Sequence, residues 1–325
     1  MQKKKILVIH TGGTISMSED TSTGAVKPSE RNPMTEKTLE LLSMADIIIE
    51  EPFNLPSPHI TPVEMLKLKE IINSYVDKGE ISGVVITHGT DTLEETAYFL
   101  QLTVQTELPI VVTGAMRSSN EIGSDGLYNL ISSINVASCE EAKNKGVLVV
   151  LNDEIHTAEN VTKTHTSNVS TFQSPQYGPI GIVTKRGVFF HHLPTNYEHY
   201  NIQNVSVRVA LIKAHAGMDS TLLLAIRDLE YHGVVIEALG QGNLPPGTVE
   251  GIKALIEKNI AVVIVSRCFN GIAQDVYGYE GGGKHLKELG VIFSNGLNGQ
   301  KARIKLLVGL ETTNNRTEIE EIFKI

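Results

Sequence analysis

The sequence predicts an α/β fold in two domains: a doubly wound, largely parallel sheet in the N-terminal domain and a smaller α/β domain at the C-terminus. Three observations predict it. Short unbroken apolar runs, such as Ile6-Leu7-Val8-Ile9 and Gly83-Val84-Val85-Ile86, read as parallel strands. Stretches with helix-start signals alternate with these runs, the order that builds a parallel sheet. At 325 residues the chain is longer than one domain usually requires. A polar segment divides it: residues 1–190 form the N-terminal domain, 191–207 a linker holding Pro194, Asn196 and Asn201, and 208–325 the C-terminal domain.

Each element follows from local signals. The first strand runs into Thr11-Gly12-Gly13-Thr14-Ile15-Ser16. Residues 18–31 are polar, lack apolar periodicity and are too long for an ordinary connection. They read as a mobile surface loop or a lid over that motif. Ile47-Ile48-Ile49 is a second strand. Thr61-Pro62-Val63-Glu64 opens a helix, with Thr61 as cap, Pro62 in the first turn and Glu64 completing a capping box. That helix runs to about Asp77, with Leu66, Ile71, Ile72 and Tyr75 among its apolar contacts. The Gly83 strand leads into His88-Gly89-Thr90-Asp91-Thr92. Thr92-Leu93-Glu94-Glu95 reads as a second capping box, on a helix carrying Tyr98, Phe99 and Leu102. Pro109-Ile110-Val111-Val112 is a strand ending at Thr113-Gly114-Ala115-Met116-Arg117, and residues 146–151 are another. In the second domain, strands are expected at 209–212, 233–236 and 261–265, and helices at 221–230 and 248–258. A third capping box, Thr317-Glu318-Ile319-Glu320, opens the last helix.

Composition narrows the function. With 28 basic and 37 acidic side chains the net charge is −9 and there is no basic stripe, a poor match to nucleic acid or an anionic membrane. Lys3-Lys4-Lys5 reads as a solvated lead-in to the first strand. No apolar stretch approaches the roughly 18 residues of a membrane span. The chain opens almost directly into a strand and shows no signal peptide, so a cytoplasmic protein is expected, with export open for a trimmed chain. Cys139 and Cys268 lack metal or redox spacing and are expected to be small buried hydrophobes. The eleven histidines, His191-His192 included, show no metal spacing. Neither the dinucleotide glycine pattern nor a P-loop ending occurs at Thr11–Ser16. Gly281-Gly282-Gly283 is expected to be a flexible loop, since no strand precedes it. No cofactor and no metal are expected.

The two threonine motifs carry the chemistry. Ligands of open α/β sheets bind beyond the carboxyl ends of strands, and glycine there lets the backbone approach them closely. Two threonine hydroxyls and the Asp91 carboxylate therefore meet where a reaction is expected, the layout of a hydroxyl-nucleophile hydrolase. A threonine hydroxyl needs a base or charged partner to act. Asn160-Val161-Thr162-Lys163-Thr164-His165-Thr166 offers one lysine among small hydroxyl residues, though from spacing alone it is a polar turn.

These motifs resemble those of a known family. Val8-Ile9-His10-Thr11-Gly12-Gly13-Thr14-Ile15-Ser16 is similar to the first signature of the bacterial-type L-asparaginase/glutaminase family, and residues 83–93 to the second. The similarity continues through Glu94-Glu95-Thr96-Ala97-Tyr98-Phe99-Leu100, Gly114-Ala115-Met116-Arg117, Val161-Thr162-Lys163-Thr164, Gly240-Gln241-Gly242-Asn243 and Gln300-Lys301-Ala302-Arg303. It spans nearly the whole chain and is closer to the secreted high-affinity type. The resemblance implies hydrolysis of L-asparagine to L-aspartate and ammonia. By motif, Thr14 would be the nucleophile of an acyl-enzyme. Thr90, Lys163 and Asp91 would form a second hydroxyl–base–carboxylate set, Asp91 also gripping the substrate's α-amino group. Gly13 and Ser57 would bind substrate, Ser57 through the α-carboxylate. The backbone at Thr90 and Ala115 would flank the amide, the former as oxyanion donor. Asn243 would reach the site from a neighbouring subunit of a homotetramer built from tight dimers.

Two departures stand out. Pro58 replaces a glutamine usual in the secreted type, which helps hold the substrate backbone, so asparagine is the expected preference over glutamine. The lid tyrosine is missing: no tyrosine precedes Tyr75, and Ala25 or Val26 stands near its place. Tyr277, after Gln274-Asp275-Val276, occupies the spot of a partner-subunit glutamate. A phenol there compensates if it reaches Thr14 across the interface; otherwise Tyr277 is an ordinary interface aromatic. The competing functions are a glutaminase-asparaginase, a tRNA-dependent amidotransferase subunit, and a binding module that lost catalysis. The acidic charge argues against the second, and the presence of Thr14, Thr90, Asp91 and Lys163 together against the third.

Overall fold

The computed structural model describes residues 3–20, 22–28, 32–41, 45–194, 198–294 and 296–324, in two compact units, Met1–His199 and Tyr200–Ile325. The first unit contains β1 (Lys5–His10), β2 (Met17–Glu19), β3 (Val26–Pro28), α1 (Pro33–Glu40), β4 (Asp46–Glu50), α2 (Pro62–Asp77), β5 (Gly83–Thr87), α3 (Leu93–Thr103), β6 (Ile110–Thr113), α4 (Gly126–Ala137), β7 (Val147–Leu151), β8 (Glu154–Thr157), β9 (Thr162–Lys163), β10 (Phe172–Gln173), β11 (Gly181–Thr184) and β12 (Gly187–Phe190). Among the described residues an eight-stranded sheet runs β12-β11-β8-β7-β6-β5-β1-β4. The five strands β4, β1, β5, β6 and β7 are parallel, and β8, β11 and β12 add an antiparallel edge. Ile6, Leu7, Val8, Ile9, Val84, Val85 and Ile86 are wholly buried, which is why these runs show no polar alternation. On one face Leu130, Ile134 and Ala137 of α4 pack with Ile6, Val8, Val85, Val111 and Leu148. The strand order reverses between β1 and β5, and the crevice beyond the carboxyl ends at such a switch is the usual ligand site. The loops leaving β1 and β5 are the two threonine motifs.

The second unit contains β13 (Val209–Lys213), α5 (Thr221–Asp228), β14 (Gly233–Ala238), α6 (Val249–Glu257), β15 (Ala261–Ser266), α7 (Gly283–Leu289), β16 (Ile292–Phe293), α8 (Gly299–Thr312) and α9 (Arg316–Phe323). Among the described residues its four strands form a parallel sheet in chain order, with Leu223, Ile236, Ile252, Leu255, Ile264 and Leu286 in its core. Among the described residues no helix is long and apolar enough to cross a membrane.

Several local expectations hold and others need correction. The Thr61 capping box forms, and α2 buries Met65, Leu68, Lys69 and Ile72, while Leu66, Ile71 and Tyr75 are half-buried. Thr92 is the N-cap residue of α3 but its side chain makes no capping hydrogen bond; its hydroxyl donates to Ser57 O at 2.7 Å. The last helix is capped by Asn315, whose side chain accepts from Thr317 N, so the threonine lies inside the first turn. Residues 18–31 are not a plain loop. β2 and β3 pair as a hairpin there, while Thr21 and residues 29–31 lie outside the described residues, as does Asn196 of the expected linker. Cys268 is exposed and Cys139 half-buried, so neither is a core residue. The Gly281–Gly283 run is buried rather than flexible. A Cβ at Gly281 would fall 2.3 Å from Leu244 O and one at Gly282 2.4 Å from Tyr277 O. Backbones meet there, which is what the glycines permit.

Candidate active site

The site is built where three loops from the carboxyl ends of β1, β4 and β5 press together. Gly12 and Gly13 have φ of 105° and 81°, and a Cβ on either would strike the facing backbone: Leu55 N at 2.5 Å for Gly12, Gly89 Cα at 2.2 Å for Gly13. A Cβ on Gly89 would in turn fall 2.7 Å from Ser57 Oγ. Thr14 follows in a 3₁₀ turn, Thr14–Ser16, closed by Ser16 N donating to Gly13 O at 2.9 Å. Thr11 N and Oγ1 both donate to Thr87 O, at 3.1 and 2.9 Å, and Leu55 N donates to Thr11 O at 2.9 Å. Thr14 is partly exposed, and its hydroxyl has no hydrogen-bond partner among the described residues.

On the facing loop Thr90 is 6% exposed. Lys163 Nζ donates to Thr90 Oγ1 at 2.9 Å and to Asp91 Oδ1 at 2.7 Å. The Lys163 side chain is 17% exposed and the Asp91 side chain 61%, so the hydroxyl end is dry and the carboxylate end wet. Lys163 ends β9, a two-residue strand paired with β10, where the sequence alone suggested a turn. Glu94, buried in the first turn of α3, accepts from Thr162 Oγ1 at 3.0 Å and Lys163 N at 3.2 Å. A carboxylate at a helix N-terminus is favoured by the helix dipole, so Glu94 is a fixed anchor for the lysine strand. Ser57 Oγ accepts from Asp91 N at 3.2 Å. Pro58 follows it, exposed, in the 3₁₀ turn Ser57–His59. Ala115 is wholly buried. Its loop is held by Asp125, which accepts from Met116 N at 3.1 Å and Arg117 N at 3.0 Å.

A buried histidine stands at the root of each threonine loop. His88 Nδ1–H donates to Gly89 O at 2.7 Å, leaving Nε2 to accept from Thr96 Oγ1 at 2.9 Å. Thr38 Oγ1 spends its proton on Met34 O, so His10 Nε2–H donates to Thr38 and His10 Nδ1 accepts from Thr87 Oγ1 at 2.8 Å. Burial lowers both rings to a pKa of about 4, and the Gly89 carbonyl offsets this only in part for His88. Both are neutral struts. Among the described residues no group of three His, Cys, Asp or Glu side chains is arranged to hold a metal ion.

Residues 5–196 match the family model described as asparaginase, N-terminal, and residues 208–323 the glutaminase/asparaginase C-terminal domain. The chain belongs to the asparaginase family. It is similar to a probable L-asparaginase of Deinococcus radiodurans, 38% identical over 98% of this chain and 97% of that protein. It is also similar to L-asparaginase 2 of Bacillus subtilis, 34% identical over 98% and 85%. Its fold matches a crystal structure of a probable cytoplasmic L-asparaginase from Campylobacter jejuni with a TM-score of 0.88 and 32% identity, over 99% of both chains.

The first unit thus brings Gly13, Ser57, Thr90, Asp91 and Lys163 together, with Thr14 beside them. Asn243 and Tyr277 belong to the second unit. Asn243 Oδ1 accepts from Gly283 N at 3.1 Å. Tyr277 is 43% exposed, its ring 5.7 Å from that of Tyr279. Glu94, Asp125, His10 and His88 also hold these loops; from sequence Asp125 was not named, and the other three stood inside quoted motifs without a site role. Their signal was present: each adjoins a motif residue by one to four positions or starts the following helix.

Proposed function

We propose that the protein hydrolyses L-asparagine to L-aspartate and ammonia through a Thr14 acyl-enzyme. One observation carries the reading. Lys163 joins Thr90 Oγ1 to Asp91 Oδ1, at 2.9 and 2.7 Å, on a loop that meets the Thr14 loop at Gly13 and Gly89. The names of the relatives support the substrate. In this reading Thr14 Oγ bonds to the side-chain amide carbon and the C–N bond breaks. The Thr14 hydroxyl proton is relayed by Thr90 and Lys163 to the departing nitrogen, which leaves as ammonia. Water then opens the ester, releasing L-aspartate and restoring the Thr14 hydroxyl. The Thr90 N–H and the backbone at Ala115 flank the developing oxyanion, the largest single contribution in many acyl transfers. Ser57 Oγ already accepts the Asp91 N–H, so its own proton is directed to the α-carboxylate, while exposed Asp91 receives the α-ammonium. Pro58 offers no side-chain donor for the longer glutamine.

The assembly in this reading is a homotetramer of tight dimers, in which a neighbour supplies Asn243 and Tyr277 and the Tyr277 phenol replaces the absent lid tyrosine. The signature runs support placement in the high-affinity branch. The likeness to the probable cytoplasmic L-asparaginase of Campylobacter jejuni supports the cytoplasm as compartment. Acid quenching during turnover, followed by peptide mass mapping, tests the chemistry. An aspartyl ester is expected on the peptide carrying Thr14. An ester on Thr90 instead, or undiminished turnover by Thr14→Ala, contradicts it.

A further inference from the structure

Outside these loops, among the described residues, a set of titratable and nucleophilic side chains around a buried histidine stands apart. His156 on β8 is wholly buried. Its Nδ1 hydrogen-bonds Ser174 Oγ at 2.9 Å, and its Nε2 lies 3.3 Å from Glu154 Oε2 without hydrogen-bond geometry. Glu154 and His156 are two apart on a strand and so share a face. The order in space is hydroxyl, imidazole, carboxylate, but without the carboxylate–imidazole hydrogen bond of an acyl-transfer triad. Ser174 is also only 3% exposed, and no substrate reaches it.

The set instead grips the β9–β10 hairpin. Phe172 pairs with Lys163 and Gln173 with Thr162, and Ser174 follows directly. Gln173 Nε2 also donates to Glu154 Oε2, at 3.1 Å. Both contacts run from β8, a strand of the main sheet, to β10 or the residue directly after it. The hairpin is a separate two-stranded ribbon, too small to be stable alone, so side-chain clamps must fix its place. Glu94 holds it from the β9 side. We propose that Glu154, His156 and Ser174 are positioning residues that set where the Lys163 ammonium stands against Thr90. They act through the hairpin and touch no substrate. The proposal rests on the reading of Lys163 as part of the reacting set.

A double-mutant cycle in the full chain tests it, with ammonia release from L-asparagine as readout. His156→Gln and, independently, Ser174→Ala are placed in the wild-type and Lys163→Met backgrounds. Misplacing a catalytic group by about 1 Å can cost about 100-fold, so a fall in kcat of about tenfold or more is expected in the wild-type background. KM should stay within about twofold, since substrate contacts are untouched. In the Lys163→Met background no further fall is expected. Equal falls in both backgrounds would make the clamp a general structural element and overturn the proposal, as would unchanged kcat in the single variants. If His156→Gln does not fold, Ser174→Ala, which removes one oxygen, decides alone. Wild-type turnover by Lys163→Met would defeat the reading of Lys163 and the proposal with it; a dead Lys163→Met beside fully active clamp variants would defeat only the proposal.

Discussion

Replacing Gly13 with alanine should part the two threonine loops by an amount the structure fixes. Gly13 has φ 81° and ψ −178°. That region is essentially reserved for glycine and costs another residue about 1–3 kcal/mol. The new Cβ would fall 2.2 Å from Gly89 Cα and 2.3 Å from Gly89 N, with backbone rather than a yielding side chain as the obstacle. Ordinary contact begins at 3.4 Å, so the loops must separate by about 1.2 Å. Overpacking adds about 1–3 kcal/mol, for a total loss of about 2–6 kcal/mol. Because the displacement falls between Thr14 and Thr90, kcat should drop about 100-fold. Gly217→Ala is the control: its φ is 76° but nothing lies within 4 Å. It should lose about 1–2 kcal/mol and keep its kcat. Urea unfolding and ammonia release measure both variants. Equal stability and equal kcat in the two would refute the close contact of the loops.

Thr14→Ala and Lys163→Met should each lower kcat about 10²–10⁴-fold with little change in the urea midpoint; a larger stability loss than activity loss would contradict their assignment. Burial holds His10 and His88 at about 4, against 6.5 when unfolded. Their neutral forms favour the fold, so this contribution is complete above pH 6.5 and is lost as pH falls toward 4, on the order of 3 kcal/mol each. The urea midpoint should fall across that window less steeply in His88→Gln, and an identical slope would contradict it. Tyr277→Phe should lower kcat about tenfold with the assembly intact by sedimentation; unchanged kcat would make Tyr277 an ordinary aromatic.

The parallel core was legible because burial on both faces leaves runs such as Val84-Val85-Ile86 without a competing pattern. The antiparallel edge was not. In β12, Val188 and Phe190 are half-buried between exposed Gly187 and Phe189, so four residues with an apolar side chain on the wet face give no clean alternation. β2 and β3, of three residues each, are too short to show a period and are fixed from outside: Ser119 N and Oγ both donate to Met17 O, at 3.0 and 2.8 Å. The threonine motifs could be read as chemistry because glycine and hydroxyl residues follow recognisable strands. Lys163 could not be read from spacing, since what brings it to Thr90 is a clamp between Glu94, sixty-nine positions away in sequence, and the β10 strand. Thr92 shows the same limit on a smaller scale: a capping pattern lost to the Ser57 carbonyl, a partner thirty-five positions distant.

Ammonia release from L-asparagine and from L-glutamine, each over a wide concentration range, tests asparagine hydrolysis most directly. A pocket that discriminates one methylene should favour L-asparagine in kcat/KM by about 10–200-fold. No ammonia from L-asparagine, or an equal or higher kcat/KM for L-glutamine, would contradict it.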